Sequence, residues 1–476
     1  MRYAHTVDQV REAEAALMST VPDGTLMHRA AAGLAAACAD LLGSVYGARV
    51  LVLAGSGANG GDALYAAARL ARRGAHVEAV LLSESAHEGG MADFRRAGGS
   101  VVTDPESYDL VLDGIVGIGG RGGLDERTAA LVSGLSAPVV AVDVPSGVDV
   151  DSAEVAGPHV RAALTVTFGT HKVCLLVDPA ATAAGSVELV DIGLGPYLGD
   201  PALEVLQPGD VRRLLPTPGH DAQKYSRGVL GIAAGSTQYT GAGLLATSAA
   251  VAAGFAGMVR YDGGAEALVR SQHPEVVIGT GQVQAWVTGP GMGDDEADAV
   301  RRVLAEGLPT VVDAGGLAAL PSRCSGPTVL TPHAGELARM LEWDRSVVES
   351  QMLKAATTAA RRWGAVVLLK GARAVVAAPD GRLRVNTTGV AWLATAGAGD
   401  VLSGVVGTLL AAGLDEFDAA SVGAWLHGAA ATFAATGGGV APGARSGDGP
   451  TVGGPISASS VVVALPDVIR RALSEV

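Results

Sequence analysis

Aromatic residues make up only 4% of the 476-residue chain, against 67 glycines and 49% apolar residues. Cores here cannot rest on large rings, so they must be Ala/Val/Leu layers packed closely through small side chains. That composition suits α/β architecture. Cysteines are three, at 38, 174 and 324, far apart and in no CxxC or Cys/His spacing. This excludes a disulfide scaffold and structural zinc, and a reducing cytoplasm is expected. Charge is scarce at 17%, and 34 Lys+Arg against 48 Asp+Glu leave a net −14. Without clustered basic residues, neither nucleic acid nor an anionic membrane is expected as a partner. Anionic small molecules stay open, because backbone amides bind them without net positive charge. The low charge and high apolar content also exclude wholesale disorder.

Long hydrophobic runs are missing as well. The N-terminal MRYAHTVDQVREAEA has no apolar h-region, so no signal peptide is expected. One uncharged stretch, 228–259, has the length to span a bilayer, but Gly231, Gly235, Gly241 and Gly243 interrupt it. It reads as a strand, a loop and a buried helix.

At about 150 residues per domain the length predicts two or three domains. In the first half, short β-branched runs alternate with helical stretches: 49–54, 77–82, 110–113, 139–144, 164–168 and 186–191, with helices over 61–73 and 125–135. Continuous apolar runs bounded by Gly or Pro predict a parallel sheet covered on both faces. A Pro/Gly-rich connection follows Gly193, and the boundary is placed as 1–207 and 208–476. After it the alternation restarts, with strands over 229–234, 257–261, 286–288, 310–313, 328–330 and 365–369 and a hairpin over 374–385. Ala- and Gly-rich helices close the chain, with a low-complexity loop, GGGVAPGARSGDGPTVGG, between two of them. The expectation is two α/β domains in series.

The first predicted strand runs into Gly55-Ser56-Gly57-Ala58-Asn59-Gly60-Gly61-Asp62 and a helix. Glycines let the backbone turn sharply and bring N–H groups against an anion at a helix N-terminus. No acidic residue stands in the register of a plain dinucleotide fingerprint. Two further strand ends deliver Asp113, Asp143 and Ser146 to the same sheet edge, where ligands bind in open α/β sheets. Asn59, Asp113 and Ser146 form an oxygen-only set suited to a hard cation, and Asp143 stands as an acid/base. Each carboxylate taken alone is equally readable as a helix cap.

The ordered strings AGSGANGGDA, VLDGIVGIGGRGG, AVDVPSGVD and TFGTHK resemble the NAD(P)H-hydrate epimerase domain over about residues 1–200. The resemblance implies a Rossmann-like three-layer fold and an active site on hydrated nicotinamide, with K+ on Asn59, Asp113 and Ser146. It implies substrate contacts from Ala58, Asn59, Gly60, Gly61 and Asp62, and from Gly117, Ile118, Gly119, Gly120, Arg121, Gly122 and Gly123. Asp143 would contact the reacting ring, with Lys172 near the same site. Ser56, Ala58 and Ala63 depart from the family pattern, which weakens the phosphate-loop match and leaves the cation set intact.

In the second half the motif with most chemistry is Ala394-Thr395-Ala396-Gly397-Ala398-Gly399-Asp400. Successive amides there can form an anion hole at a helix start, and Asp400 can take a proton from a hydroxyl attacking a phosphoryl group. Standing alone, GAGD is equally an N-cap on a glycine turn. GSTQYTGAG, TGPGMG, VDA, TPHAGE, LKGARA and GAGD in this order resemble the ribokinase-like NAD(P)H-hydrate dehydratase domain over about residues 208–476. Such enzymes phosphorylate the hydrate hydroxyl with ADP or ATP and then eliminate phosphate. The resemblance implies that Ala242, Gly291, His333 and Asp400 meet the hydrate. It further implies that Lys370, Gly371, Ala372, Arg373, Ala374, Gly397, Ala398 and Gly399 hold the nucleotide, with Asp400 as base and Mg2+ accompanying the phosphates. His333 is otherwise readable as a loop histidine capping Glu336, and His427 as a packed core residue. Val390-Ala391-Trp392-Leu393 departs from the family's Asn-Pro-Gly-Met-type sequence.

Together the halves imply a bifunctional repair enzyme: an isomerase supplying, and a lyase clearing, hydrated NADH and NADPH. A small-molecule kinase, and an inactive first domain serving as an interaction module, are the rivals. The partners expected are these small molecules and further copies of the chain, through Ala/Gly-rich helices.

Overall fold

The computed structural model describes residues 1–120, 122–438 and 453–474. Arg121 and nearly all of the low-complexity loop lie outside the described residues. The chain forms two compact units that divide between Leu203 and Glu204, with Met1 and Arg2 belonging to the second. This is four residues before the expected boundary, because Glu204 already belongs to the sheet of the second unit, paired with Arg384.

The strands of the first unit are β1 (Arg2–His5), β2 (Arg49–Ala54), β3 (His76–Leu81), β4 (Ser100–Val101), β5 (Leu110–Gly114), β6 (Val139–Val142), β7 (Leu164–Phe168), β8 (His171–Lys172) and β9 (Ser186–Val190). Seven of them form a parallel sheet in the order β4-β3-β2-β5-β6-β7-β9. The continuous apolar run of β2 follows from burial on both faces. Val50 and Val52 pack with Leu34, Leu64 and Leu70 of the helices Thr25–Leu42 and Ala58–Ala71. Leu51 and Leu53, pointing the other way, pack with Leu131 and Val132 of the helix Glu126–Ser133. The strand order reverses between β2 and β5, which are paired at Leu53↔Asp113 and Ala54↔Gly114. Such a reversal opens a crevice at the carboxyl ends of the strands. Apart from this sheet, β1 pairs with β8, setting His5 beside Lys172.

In the second unit the strands are β10 (Leu203–Val205), β11 (Val229–Ala233), β12 (Met258–Tyr261), β13 (Val277–Ile278), β14 (Ala285–Thr288), β15 (Thr310–Val312), β16 (Thr328–Leu330), β17 (Val366–Leu369), β18 (Ala374–Ala377) and β19 (Leu383–Asn386). They run in the order β13-β12-β11-β14-β15-β16-β17-β18-β19-β10, parallel from β13 to β17. Here the order reverses between β11 and β14. The expected hairpin over 374–385 is the antiparallel pair β18–β19. Helices Thr240–Ala253, Ala398–Ala411, Glu416–Thr436 and Ala458–Ser474 join the larger core of this unit. Small residues allow this closeness: a Cβ on Gly404 would lie 2.2 Å from the Ala246 carbonyl oxygen. The uncharged stretch resolves into β11, a loop, the helix Thr240–Ala253 and β12, and among the described residues no helix is long and apolar enough to cross a membrane.

Candidate active sites

At the crevice of the first unit, the turn after β2 enters the helix Ala58–Ala71, whose N-cap, Gly57, has no side-chain capping bond. Its first-turn amides are therefore open to a ligand. Ser56 and Ala58, the departures from the family pattern, are exposed, whereas Asn59, Gly60, Gly61 and Asp62 are buried. The turn after β5 passes over Asn59: a Cβ on Gly117 would lie 3.0 Å from Asn59 Oδ1. Ser146 donates from its backbone N–H to Asp113 Oδ2 at 2.9 Å and from its hydroxyl to Asp113 Oδ1 at 2.6 Å. Burial pushes the Asp113 carboxyl up to about 6, against the pull of these bonds. The three expected cation ligands thus gather around residues 113–117. The Asn59 side-chain N–H group is buried without a hydrogen-bond partner. Ile118, Gly119 and Gly120 continue the turn. Gly123 donates from its N–H to the Gly147 carbonyl at 2.7 Å, tying Gly122 and Gly123 toward the Ser146 loop.

Beside this group, Asp143 sits at the end of β6 in the left-handed region, with φ 67°, an uncommon conformation for a residue with a side chain. Its Oδ1 accepts from Lys172 Nζ at 2.5 Å and from Thr167 Oγ1 at 2.9 Å. Lys172, only 1% exposed, also donates to Thr167 Oγ1 at 3.1 Å and to the Phe168 carbonyl at 2.9 Å. Two further carboxyls face the pair. Glu14, from the helix Val7–Met18, is raised by burial. Asp62 is raised well above the ordinary carboxylate range by burial, then by Asp143 and Glu14.

In the second unit, the loops after β11 and β14 flank the other strand-order reversal, and they bring Ala242 and Gly291 together. A Cβ on Gly291 would lie 2.6 Å from Ala242 Cβ. Gly397 is a left-handed N-cap without a side-chain bond, so the first-turn amides of Ala398–Ala411 are also open, with Asp400 in that turn. Under the turn, Lys370 Nζ donates to Asp313 Oδ1 at 2.7 Å and stands 3.9 Å from Glu336 Oε2. Ser403 Oγ donates to Asp313 Oδ2 at 2.8 Å. Lys370 and Ser403 hold the Asp313 carboxyl below its ordinary range despite full burial, and Asp313, Glu336 and Asp400 raise Lys370. Asp400 is pushed up to about 6 by burial and by the Asp313 charge. After Lys370 a bend of Gly371, Ala372 and Arg373 leads into β18, which begins at Ala374.

His333 is exposed and N-caps the helix Ala334–Leu341: its Nδ1 accepts from the Glu336 N–H at 3.1 Å, and Glu336 Oε2 accepts from the His333 N–H at 2.8 Å. The capping role weighed against substrate contact is therefore present. It leaves the imidazole at the surface beside Lys370, with which His333 forms a parallel bridge. His427 is a buried residue of Glu416–Thr436, as read from sequence.

Sequence reasoning gave no role to Asp313, Glu336, Ser403, Thr167 or Glu14. The first two lie in quoted motifs, VDA and TPHAGE. Thr167 and Ser403 are ordinary strand and helix residues, and Glu14 lies in a helix that patterning left unassigned.

Two sheets that each reverse strand order beside an uncapped helix start, and units that each hold a buried lysine–aspartate pair, define a two-site α/β enzyme whose second half has the ribokinase-like fold. The family described as NAD(P)H-hydrate dehydratase matches residues 230–445, and that described as YjeF-related protein N-terminus matches residues 23–174. The bifunctional NAD(P)H-hydrate repair enzyme of Mycobacterium leprae is 46% identical over 458 residues, covering 91% of this chain and 94% of its own length. That of Mycobacterium tuberculosis H37Rv is 47% identical over 444 residues, covering 88% of this chain and 92% of its own. Among solved structures, the ADP/ATP-dependent NAD(P)H-hydrate dehydratase of Bacillus subtilis, co-crystallised with ATP and Mg2+, is 28% identical with a TM-score of 0.50, covering 56% of this chain and 97% of that one. The chain belongs to the bifunctional NAD(P)H-hydrate repair enzyme family.

Proposed function

We propose that the chain repairs hydrated NADH and NADPH at two sites. Residues 1–207 interconvert the R and S hydrates, and residues 208–476 dehydrate the S form at the expense of ADP or ATP. The observation that carries the reading is Asp400, half-buried in the first turn of an uncapped helix and coupled to Lys370 and Asp313. That arrangement sets a general base beside an anion hole, which is what phosphorylating a ring hydroxyl requires. Gly397, Ala398 and Gly399 offer amides to the nucleotide phosphates, with Lys370 to Ala374 along them, and Ala242, Gly291 and His333 edge the hydrate. Loss of the phosphate with a ring proton then regenerates the reduced nicotinamide.

Mg2+ is bound through phosphate oxygens and one or two carboxylates. Both oxygens of Asp313 are taken by Lys370 and Ser403, so the ion would be held chiefly by the nucleotide's own phosphates, where it would neutralise charge on the transferring group. In the first unit, the side-chain oxygens of Asn59, Asp113 and Ser146 fit a K+ ion as an all-oxygen donor set. The ion would supply a fixed positive charge beside the substrate. Ala58 to Asp62 and Gly117 to Gly123 take the hydrated nucleotide, and Asp143 is the carboxylate at the reacting ring. The enzyme is assigned to the cytoplasm, as an assembly of identical chains.

The test is recovery of reduced-nicotinamide absorbance from purified S-NADHX with ADP or ATP and Mg2+, for wild type and Asp400→Ala. Nucleotide-dependent recovery that disappears in the variant supports dehydration at this site. The R epimer, with and without K+, then examines the first unit. A folded protein that restores neither epimer, yet phosphorylates another alcohol, sinks the reading in favour of a kinase.

A further inference from the structure

We propose that Asp62 is the acid of the epimerase half: it protonates the hydroxyl of the hydrated ring so that the hydroxyl leaves as water, and it is protonated again from solvent once water has added to the opposite face. The proposal rests on the reading of the first unit as an NAD(P)H-hydrate epimerase.

The geometry separates Asp62 from its neighbours by hydrogen-bond capacity. An ammonium has three N–H donors. Those of Lys172 are matched by Asp143 Oδ1, Thr167 Oγ1 and the Phe168 carbonyl, at 2.5, 3.1 and 2.9 Å. Lys172 bears on Asp62 electrostatically but has no donor left for it. It is 8% exposed, and its Oδ1 is buried without a hydrogen-bond partner. An ionised carboxylate in that position would be costly, because burying a charge without donors is heavily penalised. A protonated carboxyl is not, and it carries a proton that no group of the protein takes up. The charged groups that bear on Asp62 point the same way. Asp143 beyond β6 and Glu14 from the helix Val7–Met18 raise its pKa, and Lys172 from β8 opposes them without overcoming them. Asp62 also lies one helical turn from Asn59, so the two share a face of the helix start.

The chemistry balances. In the hydrate the carbon bearing the hydroxyl is bonded to the ring nitrogen. The nitrogen lone pair forms a carbon–nitrogen double bond as the carbon–oxygen bond breaks, and the departing oxygen takes the Asp62 proton to leave as water. The ring is then a planar cation, facing the carboxylates of Asp143 and the newly ionised Asp62. Water adds to the other face, its surplus proton is released to solvent, from which Asp62 is protonated again, and the double-bond electrons return to nitrogen. No oxidant or further reactant is needed. The competing route opens the ring to an aldehyde by removing the hydroxyl proton, and it keeps the original oxygen.

The experiment follows R-NADHX converting to the S form in H2(18)O at K+ saturation, under single-turnover conditions, with product oxygen read by mass spectrometry. Incorporation of (18)O into the newly formed epimer is expected, above the level of the spontaneous reaction. Retention of the original oxygen overturns the proposal. In parallel, Asp62→Asn keeps the shape but has no proton to give. Its kcat should fall at least 100-fold, with KM changed less than threefold and partial recovery in Asp62→Glu. A folded Asp62→Asn protein with kcat within threefold of wild type also overturns the proposal. Wild-type protein that does not accelerate epimerisation at all would remove the epimerase reading itself, a result distinct from both.

Discussion

The ammonium of Lys370 stands 2.7 Å from Oδ1 of the buried Asp313, and a Cβ added to Gly399 would come within 3.2 Å of the one and 3.4 Å of the other's Oδ2. The pair therefore forms the floor of the GAGD turn, and each charge is the main compensation for the other. Removing one partner leaves a buried charge, a change that commonly costs about 3–5 kcal/mol. Lys370→Met and Asp313→Asn should each lower the unfolding midpoint of the second unit. The double variant should lose less than the sum of the two, and a double-mutant cycle on chemical unfolding checks this. Additive losses would mean that the pair is not coupled.

In its proposed role as base Asp400 works only when ionised, and burial with the Asp313 charge pushes its carboxyl up to about 6, which sets where that role fails. Dehydratase kcat/KM should be level above about pH 7 and fall about tenfold per unit below about pH 6. Asp400→Asn should lose the acidic limb together with about 100- to 10,000-fold of the rate. A variant that keeps the wild-type profile would assign the limb to another group.

Much of this was legible in the sequence because parallel strands buried on both faces read as unbroken apolar runs. Arg49–Ala54, Leu164–Phe168 and Thr328–Leu330 begin and end where patterning puts them. Others shift by one or two residues: the strand expected over 139–144 stops at Val142, because Asp143 turns out of the sheet at φ 67°. What patterning could not give was pairing across the fold. Nothing local marks Thr167 as a partner of Asp143, or Ser403 as a partner of Asp313, since each pair is created by register and packing. β8 and β10, of two and three residues, are too short to carry a period. The Lys172–Asp143 contact spans 29 residues of chain and the Lys370–Asp313 contact 57, so although the resemblance put each lysine near its site, neither ion pair could be read from local spacing.

Gly291 offers a way to disable one site and spare the other. Its φ is +63°, and an added Cβ would lie 2.6 Å from Ala242 Cβ and 2.8 Å from the Tyr239 carbonyl oxygen. Left-handed strain alone costs a residue with a side chain about 1–2 kcal/mol, and here the obstacle includes backbone that cannot rotate away. Gly291→Ala should lower dehydratase kcat/KM at least tenfold by displacing the loop after β14. Conversion of the R hydrate should stay within twofold of wild type. Equal loss of both activities would indicate global destabilisation.

His427 makes a stability prediction of definite sign. It is buried, its Nε2 has no hydrogen-bond partner, and burial lowers its pKa from 6.5 to about 4, with Lys370 adding to the effect against a backbone hydrogen bond with Ala398. The imidazole is therefore neutral in the folded protein at pH values where the unfolded chain would bind a proton. Above about pH 6.5 neither state is protonated there and the residue adds no slope. Between about 6.5 and 4 the unfolded state takes up a proton that the folded state refuses, so stability falls with pH, by up to about 3 kcal/mol at about 1.4 kcal/mol per unit. Asp400, with its raised pKa, contributes a slope of the opposite sign over about pH 4 to 6, but does so in wild type and variant alike. The difference between wild type and His427→Leu therefore isolates the histidine. Urea unfolding of both proteins at pH 7, 6, 5 and 4.5 should show the variant gaining stability relative to wild type as pH falls. A difference that does not change with pH would mean that the buried imidazole is protonated as readily as a free one.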